Sequence, residues 1–294
     1  MRDDTPSRTA AWVAAARTLG KLLPEHARLV DDPYGAAFSS PAVARLLDRN
    51  SGRFRPLATM PLMRSWILYM QVRTRVIDDA LRAFVAGGGR QLVVLGAGYD
   101  CRALRLAELA GCDVFEVDHP ATQAHKRGVL DRIGAESSSR YLTWDFAARP
   151  MEDLPDALAE VGLAAQPTFT IWEGVTMYLT EPQIDASLRA IRAWSPPGSQ
   201  LALTYFAKSK IAQPSLATRA IQAIVATVGE PWRFGWAPDE LAPYLAERGF
   251  ALLRDVPLSD AARELLPAEL AVHVANPDRR FALAAAPESI ALAS

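Results

Sequence analysis

The chain has 294 residues, 50% of them hydrophobic, and a formal net charge of -1. That size and apolar content suit one elaborated domain with a substantial core and exclude a largely disordered chain. The near-neutral charge, with no basic block able to track phosphates, argues against nucleic acid as a partner. Met1 to Ser7 is polar and carries acids, unlike a secretory signal, and no apolar run of about 20 residues is present to span a bilayer. A soluble cytoplasmic protein without a membrane partner is expected. Cys101 and Cys112, with the scattered His26, His119, His125 and His273, show no metal-ligand spacing, so no metal is expected. Nothing in the composition reveals an oligomeric state.

In chain order, an Ala-rich helix is expected from about Thr9 to Leu19, then a turn at Asp31-Asp-Pro-Tyr34. A Pro- and Arg-bearing loop from Ser51 to Pro61 precedes a second helix from about Trp66 to Val85. From Gln91 onward apolar runs alternate with helical periods, the pattern of a parallel sheet covered on both faces. Strands are expected at Gln91–Leu95, Asp113–Val117, Arg140–Trp144, Thr168–Trp172, Gln200–Phe206, Ala251–Val256 and Arg280–Ala285. The intervening helices fall near Arg102–Ala110, Pro120–Ile133, Pro150–Val161, Glu181–Trp194 and Pro238–Arg248. This divides the chain into a helical cap over 1–88, an α/β core over 89–206 and 235–294, and an inserted lid over 207–234. The residues after Pro287 read as a disordered tail.

The local pattern that carries most chemistry is Gln91-Leu-Val-Val-Leu-Gly-Ala-Gly-Tyr-Asp100 followed by Val114-Phe-Glu-Val-Asp118. It reads as strand, glycine turn, helix, strand and acid. Backbone at Gly96 and Gly98 can approach a ligand closely, and Asp118 is placed to accept hydrogen bonds from ribose hydroxyls. Position 101, where a dinucleotide fingerprint has its third glycine, is Cys101, and Asp100 brings negative charge to where a pyrophosphate would lie. A phosphate-free adenosine ligand fits better, which points to S-adenosyl-L-methionine.

Together the segments resemble the leucine carboxyl methyltransferase family, including its bacterial branch of tetracenomycin-type polyketide carboxyl O-methyltransferases. The resemblance is carried by Ser7-Arg-Thr-Ala10, Asp32-Pro-Tyr34, Val72-Arg-Thr-Arg-Val-Ile-Asp78, Val94-Leu-Gly-Ala-Gly-Tyr-Asp-Cys-Arg102, Phe115-Glu-Val-Asp-His-Pro120, Thr170-Ile-Trp-Glu-Gly-Val-Thr-Met-Tyr-Leu179 and Gly229-Glu-Pro-Trp-Arg-Phe-Gly235. It implies a Rossmann-like class I methyltransferase with a seven-stranded, mostly parallel sheet whose last strand is antiparallel. By the same resemblance Arg73 grips the methionine carboxylate with its planar two-pronged donor array, and Arg8 reaches the same group. Only one of Arg73 and Arg75 is expected to point inward, because two residues' separation puts them on different helix faces.

Asp118 is assigned to the ribose, Asp145 and Phe146 to the adenine edge and face, and Glu173 to the cofactor pocket near the methionine portion. An acid just past a strand is also a common helix cap, which is the competing reading of Asp145. Tyr99, Trp172 and Tyr178 are candidates to face the sulfonium, with Tyr178 the choice for a hydroxyl on the acceptor side. The expected reaction is methyl-ester formation on a carboxylate of a small molecule, of polyketide type, leaving S-adenosyl-L-homocysteine. A phenolic or enolic acceptor is the alternative and would need a base, for which His119 is the nearest candidate. A nicotinamide-dependent oxidoreductase and a non-catalytic cofactor-binding module are the readings from other classes.

Overall fold

A computed structural model describes residues 6–39, 60–212, 219, 222 and 231–288. Helix α1 (Arg8–Leu19) is capped by Ser7, whose Oγ accepts from the Ala10 amide at 3.1 Å. Helix α2 (Pro61–Ala86) starts five residues before the expected Trp66, because proline at the first helical position needs no amide partner. The strands are β1 (Gln91–Leu95), β2 (Asp113–Asp118), β3 (Arg140–Thr143), β4 (Thr168–Trp172), β5 (Gln200–Phe206), β6 (Ala251–Pro257) and β7 (Arg279–Ala285). They form one seven-stranded sheet of order β3-β2-β1-β4-β5-β7-β6, in which β7 runs antiparallel to both neighbours. Between and after them lie α3 (Arg102–Arg105), α4 (Pro120–Arg132), α5 (Leu154–Glu160), α6 (Glu181–Ala193), α7 (Lys208–Ala212), α8 (Pro238–Ala246), α9 (Leu258–Leu265) and α10 (Ala268–Ala271). No helix among the described residues is long and apolar enough to cross a membrane.

Two cores cover the two faces of the sheet. Leu92 and Val94 of β1 enter one, with α2, α9 and α10; Val93 and Leu95 enter the other, with α5, α6 and α8. Successive strand side chains point to opposite faces, so a strand covered on both sides reads as the unbroken apolar run seen at β1. Each fully buried residue of this kind contributes about 1.5–3 kcal/mol. A third cluster, of Ala14, Phe38, Tyr99, Cys101, Val129 and Leu130, seats α1 against the turn after β1. Gln71, buried in mid-helix, accepts from the amides of Leu29 and Val30 and donates to the Arg17 carbonyl, so the leading segments are tied to α2 through one side chain.

Two stretches differ from expectation, and a third is described only in part. The helix expected over Arg102–Ala110 is the single turn α3 and a 3-10 turn at Ala107–Leu109, because extended backbone at Leu106 buries both Leu106 and Leu109. Helices α9 and α10 occupy a stretch where no element is expected; they are short, are separated by Pro267, and take their stability from packing on the α2 side of the sheet. Of the expected lid over 207–234, the described part is α7, residues 219 and 222, and the return through residues 231–234 to Trp236, which bridges to Ala207. Its remainder, most of the Ser51 to Pro61 loop, and the tail beyond Glu288 lie outside the described residues.

Candidate functional site

A cavity of about 690 Å³ opens at the carboxyl edge of the parallel strands, where open α/β sheets leave a crevice between connections. Its walls come from α1 (Trp12, Arg17), α2 (Met63, Trp66, Tyr69, Arg73), the turn Gly96–Asp100, and the residues following β2, β3 and β4. Phe206 ends β5 and Arg279 begins β7, and both also line it.

The turn after β1 needs glycine for two reasons. Gly96 has φ +71° and Gly98 φ +51°, both in the left-handed region. A Cβ on Gly96 would also lie 2.7 Å from a Val175 methyl, and one on Gly98 would lie 3.1 Å from the Ala10 Cβ of α1. Gly96→Ala should therefore lower stability by more than about 1–2 kcal/mol, the cost of a side chain in that backbone region, and reduce the urea midpoint; an unchanged midpoint would refute this account of the turn.

Asp118 closes the other side of the turn. Its two oxygens accept from the amides of Gly98 and His119, the latter at 2.6 Å, so the carboxylate is held at the cavity wall by backbone. Burial raises its pKa, and those two backbone bonds pull in the opposite direction. His119 caps α4, its Nδ1 accepting from the Ala121 amide at 3.2 Å. Tyr99 stacks on Phe38 with centroids 4.5 Å apart and bonds His125 Nδ1 at 2.8 Å; burial and then Asp118 push its hydroxyl up to about 12.

Behind this wall lies a buried charge cluster. Glu173 is 2.7 Å from Arg73 Nε through one oxygen and 2.9 Å from Arg102 Nη2 through the other. Neither pair has hydrogen-bond alignment, and Arg73 Nε, Arg102 Nη2 and Glu173 Oε1 all lack a hydrogen-bond partner. The attraction is coulombic; Arg73 Nε is enclosed against Glu173, and Arg73 lines the cavity. Burial raises the Glu173 pKa, but Arg73, Arg102 and Arg17 outweigh it and hold the carboxyl below its ordinary value. Arg102 also binds Asp78 at 2.7 Å and pairs with Asp100. Against the desolvation that favours protonation, Arg102, Arg17 and Lys126 keep Asp100 well below the usual carboxylate range. Arg17 is held by Asp32 at 2.8 Å and donates to the Tyr99 carbonyl at 2.6 Å.

Of the residues singled out from sequence, Arg73, Gly96, Gly98, Asp118, Phe146, Glu173 and Tyr178 come together on this cavity. Arg73 points inward, whereas Arg75 turns to Asp79 on its own helix. Three expectations are corrected. Arg8 is exposed and absent from the wall, and Arg17 of the same helix lines it instead; nine residues are two and a half turns, so the two occupy opposite faces of α1. Asp145 is absent from the cavity wall, and its Oδ1 accepts from the Ala147 amide at 2.9 Å, shaping the turn after β3. Trp172 is buried in the core on the α6 side and does not line this cavity. Sequence reasoning missed Arg17, Tyr69, Arg102 and Arg279. Arg102 ends one of the quoted segments and Asp32 opens another, and that proximity was the available signal for Arg102 and for the partner of Arg17.

The profile of the leucine carboxyl methyltransferase family matches residues 10–192. A Streptomyces coelicolor protein named an S-adenosyl-L-methionine-dependent methyltransferase is 34% identical over 248 residues, covering 82% of each chain. A second protein of that organism and name is 37% identical over 201 residues, 66% of this chain and 64% of its own length. Among solved structures, a DUF574 family protein of Streptomyces avermitilis shares the fold, with a TM-score of 0.57 at 17% identity, over 92% of this chain and 100% of that one.

Proposed function

Since this chain belongs to the leucine carboxyl methyltransferase family and is an S-adenosyl-L-methionine-dependent methyltransferase, we propose that it methylates a carboxylate oxygen of a small organic molecule. The supply of protonatable groups at the cavity supports this reading. A carboxylate is ionised at neutral pH and needs no base, whereas a phenol, with a pKa of about 10, does. Among the described residues that line the cavity, the imidazole and carboxylates are all committed, and Lys210, the nearby amine with a pKa of about 7, packs on Phe206 and Trp232 and is not itself a lining residue. In neutral His119, Nδ1 accepts a backbone N–H, so the ring proton sits on Nε2 and no lone pair is left for a phenol. Glu173 and Asp100 are held as weak bases by arginines, and Asp118, fixed by two backbone N–H groups, is the residue assigned to the ribose.

The residues fit the cofactor. Arg73 lines the cavity with its Nε turned to Glu173, and the remaining nitrogens of its guanidinium suit the methionine carboxylate, with Glu173 beside it near the methionine portion. Asp118 is fixed for the ribose, Gly96 and Gly98 let backbone come close, and Phe146 offers a ring to the adenine. When bound, S-adenosyl-L-methionine supplies a methyl group on a positively charged sulfur. Tyr178, in the 3-10 turn Thr176–Tyr178, is the acceptor-side hydroxyl that helps orient the incoming oxygen. The aromatic wall excludes water, and alignment of acceptor with methyl carbon then supplies most of the acceleration.

The test is product chemistry with methyl-labelled cofactor on a panel of aryl and alkyl acids and matching phenols. The expected label is released by mild alkali as an ester, with a rate flat in pH near neutrality. An alkali-stable ether, formed with a rate that rises through a basic pKa, would replace the carboxylate with a phenol.

A further inference from the structure

Because β7 is antiparallel, its first residue pairs with the last of β5, Arg279 opposite Phe206, and so stands at the carboxyl edge where the cavity opens. The Arg279 guanidinium carbon lies 4.0 Å from the Tyr69 ring centroid, and that of Arg73 lies 5.6 Å from the same centroid. The two arginines differ in their partners. Arg73 is paired with Glu173, whereas Arg279 has no ion pair among the described residues and its enclosed Nε has no hydrogen-bond partner. A second basic group stands nearby. Lys210 packs on the rings of Phe206 and Trp232, at 4.7 and 5.7 Å, again without an ion pair among the described residues. Burial and then the charge of Arg279 bring its pKa down to about 7, against the opposing pull of Asp278. Among the described residues Arg279 thus sets an unpaired positive charge, with the partly protonated Lys210 nearby, at one end of a wall otherwise built from Trp12, Met63, Trp66, Phe206 and Trp232. Enclosed cations without a counter-ion are costly, and an arriving anion relieves that cost.

We propose that Arg279 is the docking point for the carboxylate of the methyl acceptor, and that the acceptor is an organic acid whose apolar body lies on this aromatic wall. The assignment rests on the carboxylate reading above and narrows it. Stacking on Tyr69 sets the plane of the guanidinium, which can hold one carboxylate oxygen and leave the other for the reaction. That second oxygen bonds the methyl carbon with its lone pair as the carbon–sulfur bond breaks, and the electrons of that bond stay on sulfur. No proton is exchanged. The ester is uncharged, so Arg279 releases as product what it held as substrate.

The experiment uses the full chain saturated with S-adenosyl-L-homocysteine, and titrates 2-naphthoate and its methyl ester by calorimetry at neutral pH. The wild type should bind the acid roughly tenfold or more tightly than the ester, as a charge-assisted contact requires. Arg279→Met should abolish that preference while keeping the affinity for the ester and for S-adenosyl-L-homocysteine. Arg279→Lys, which keeps charge without the fork, should restore part of it and serves as the reading if the methionine variant does not fold. A wild type that binds neither probe, or both equally, overturns the proposal, as does an Arg279→Met protein that still prefers the acid. Failure of the underlying reaction looks different: the acid preference depends on Arg279, yet labelled methyl appears only as an alkali-stable ether.

Discussion

Arg73→Ala should weaken S-adenosyl-L-methionine binding by at least about thirtyfold, the lower end of what truncating one partner of a buried charged contact costs. Arg73 is 6% exposed, lies on α2 and lines the cavity with its Nε turned to Glu173. The contact is planar and two-pronged, so Arg73→Lys should recover the charge but only part of the affinity. Calorimetric titration of cofactor into each variant decides the matter, with circular dichroism as the check that the fold persists. Unchanged affinity in a folded Arg73→Ala protein would take Arg73 out of the cofactor site and leave its pairing with Glu173 as a structural contact.

Glu173→Ala should have the largest effect on stability, about 3–5 kcal/mol, because removing one member of a buried ion cluster strands the others. Here Arg73 and Arg102 would lose their shared carboxylate, with Arg17 adding repulsion. The measurement is urea unfolding at neutral pH, and a midpoint equal to the wild type would show the cluster to be solvated. The effect has a pH signature. The folded Glu173 pKa is lowered from its ordinary 4.5, so the carboxylate stabilises the fold fully above that value. As pH falls below 4.5 and through the folded pKa, that contribution is lost. The gap between wild type and variant should therefore narrow in acid.

Much of this architecture could be read along the chain. Strands β1, β4 and β5 begin and end where the apolar runs do, and the remaining strands differ by a residue, because strand formation here reflects continuous burial that composition displays directly. The glycine turn and Asp118 were equally visible, since a positive-φ turn and an acid at the end of the next strand are separated by few residues. Helical periodicity alone gave that only one of Arg73 and Arg75 points inward, and the family resemblance gave that it is Arg73. Where a capping role and a binding role use the same residue type, as at Asp145, the local pattern does not separate them, and the Ala147 amide took the carboxylate.

The elements, their order along the chain and the half-site around Gly96 and Asp118 follow from short-range chemistry: periodicity, turn residues and spacing. Which charges meet was settled by three-dimensional packing. Arg17 reaches the cavity because α1 packs on the turn after β1, and Arg279 reaches it because an antiparallel β7 starts where β5 ends. The distance between those residues along the chain is spanned by the sheet, and no window of neighbouring residues contains it. Buried ions select partners by position in space and by the cost of remaining unpaired, and both exist only once the cores have closed around them.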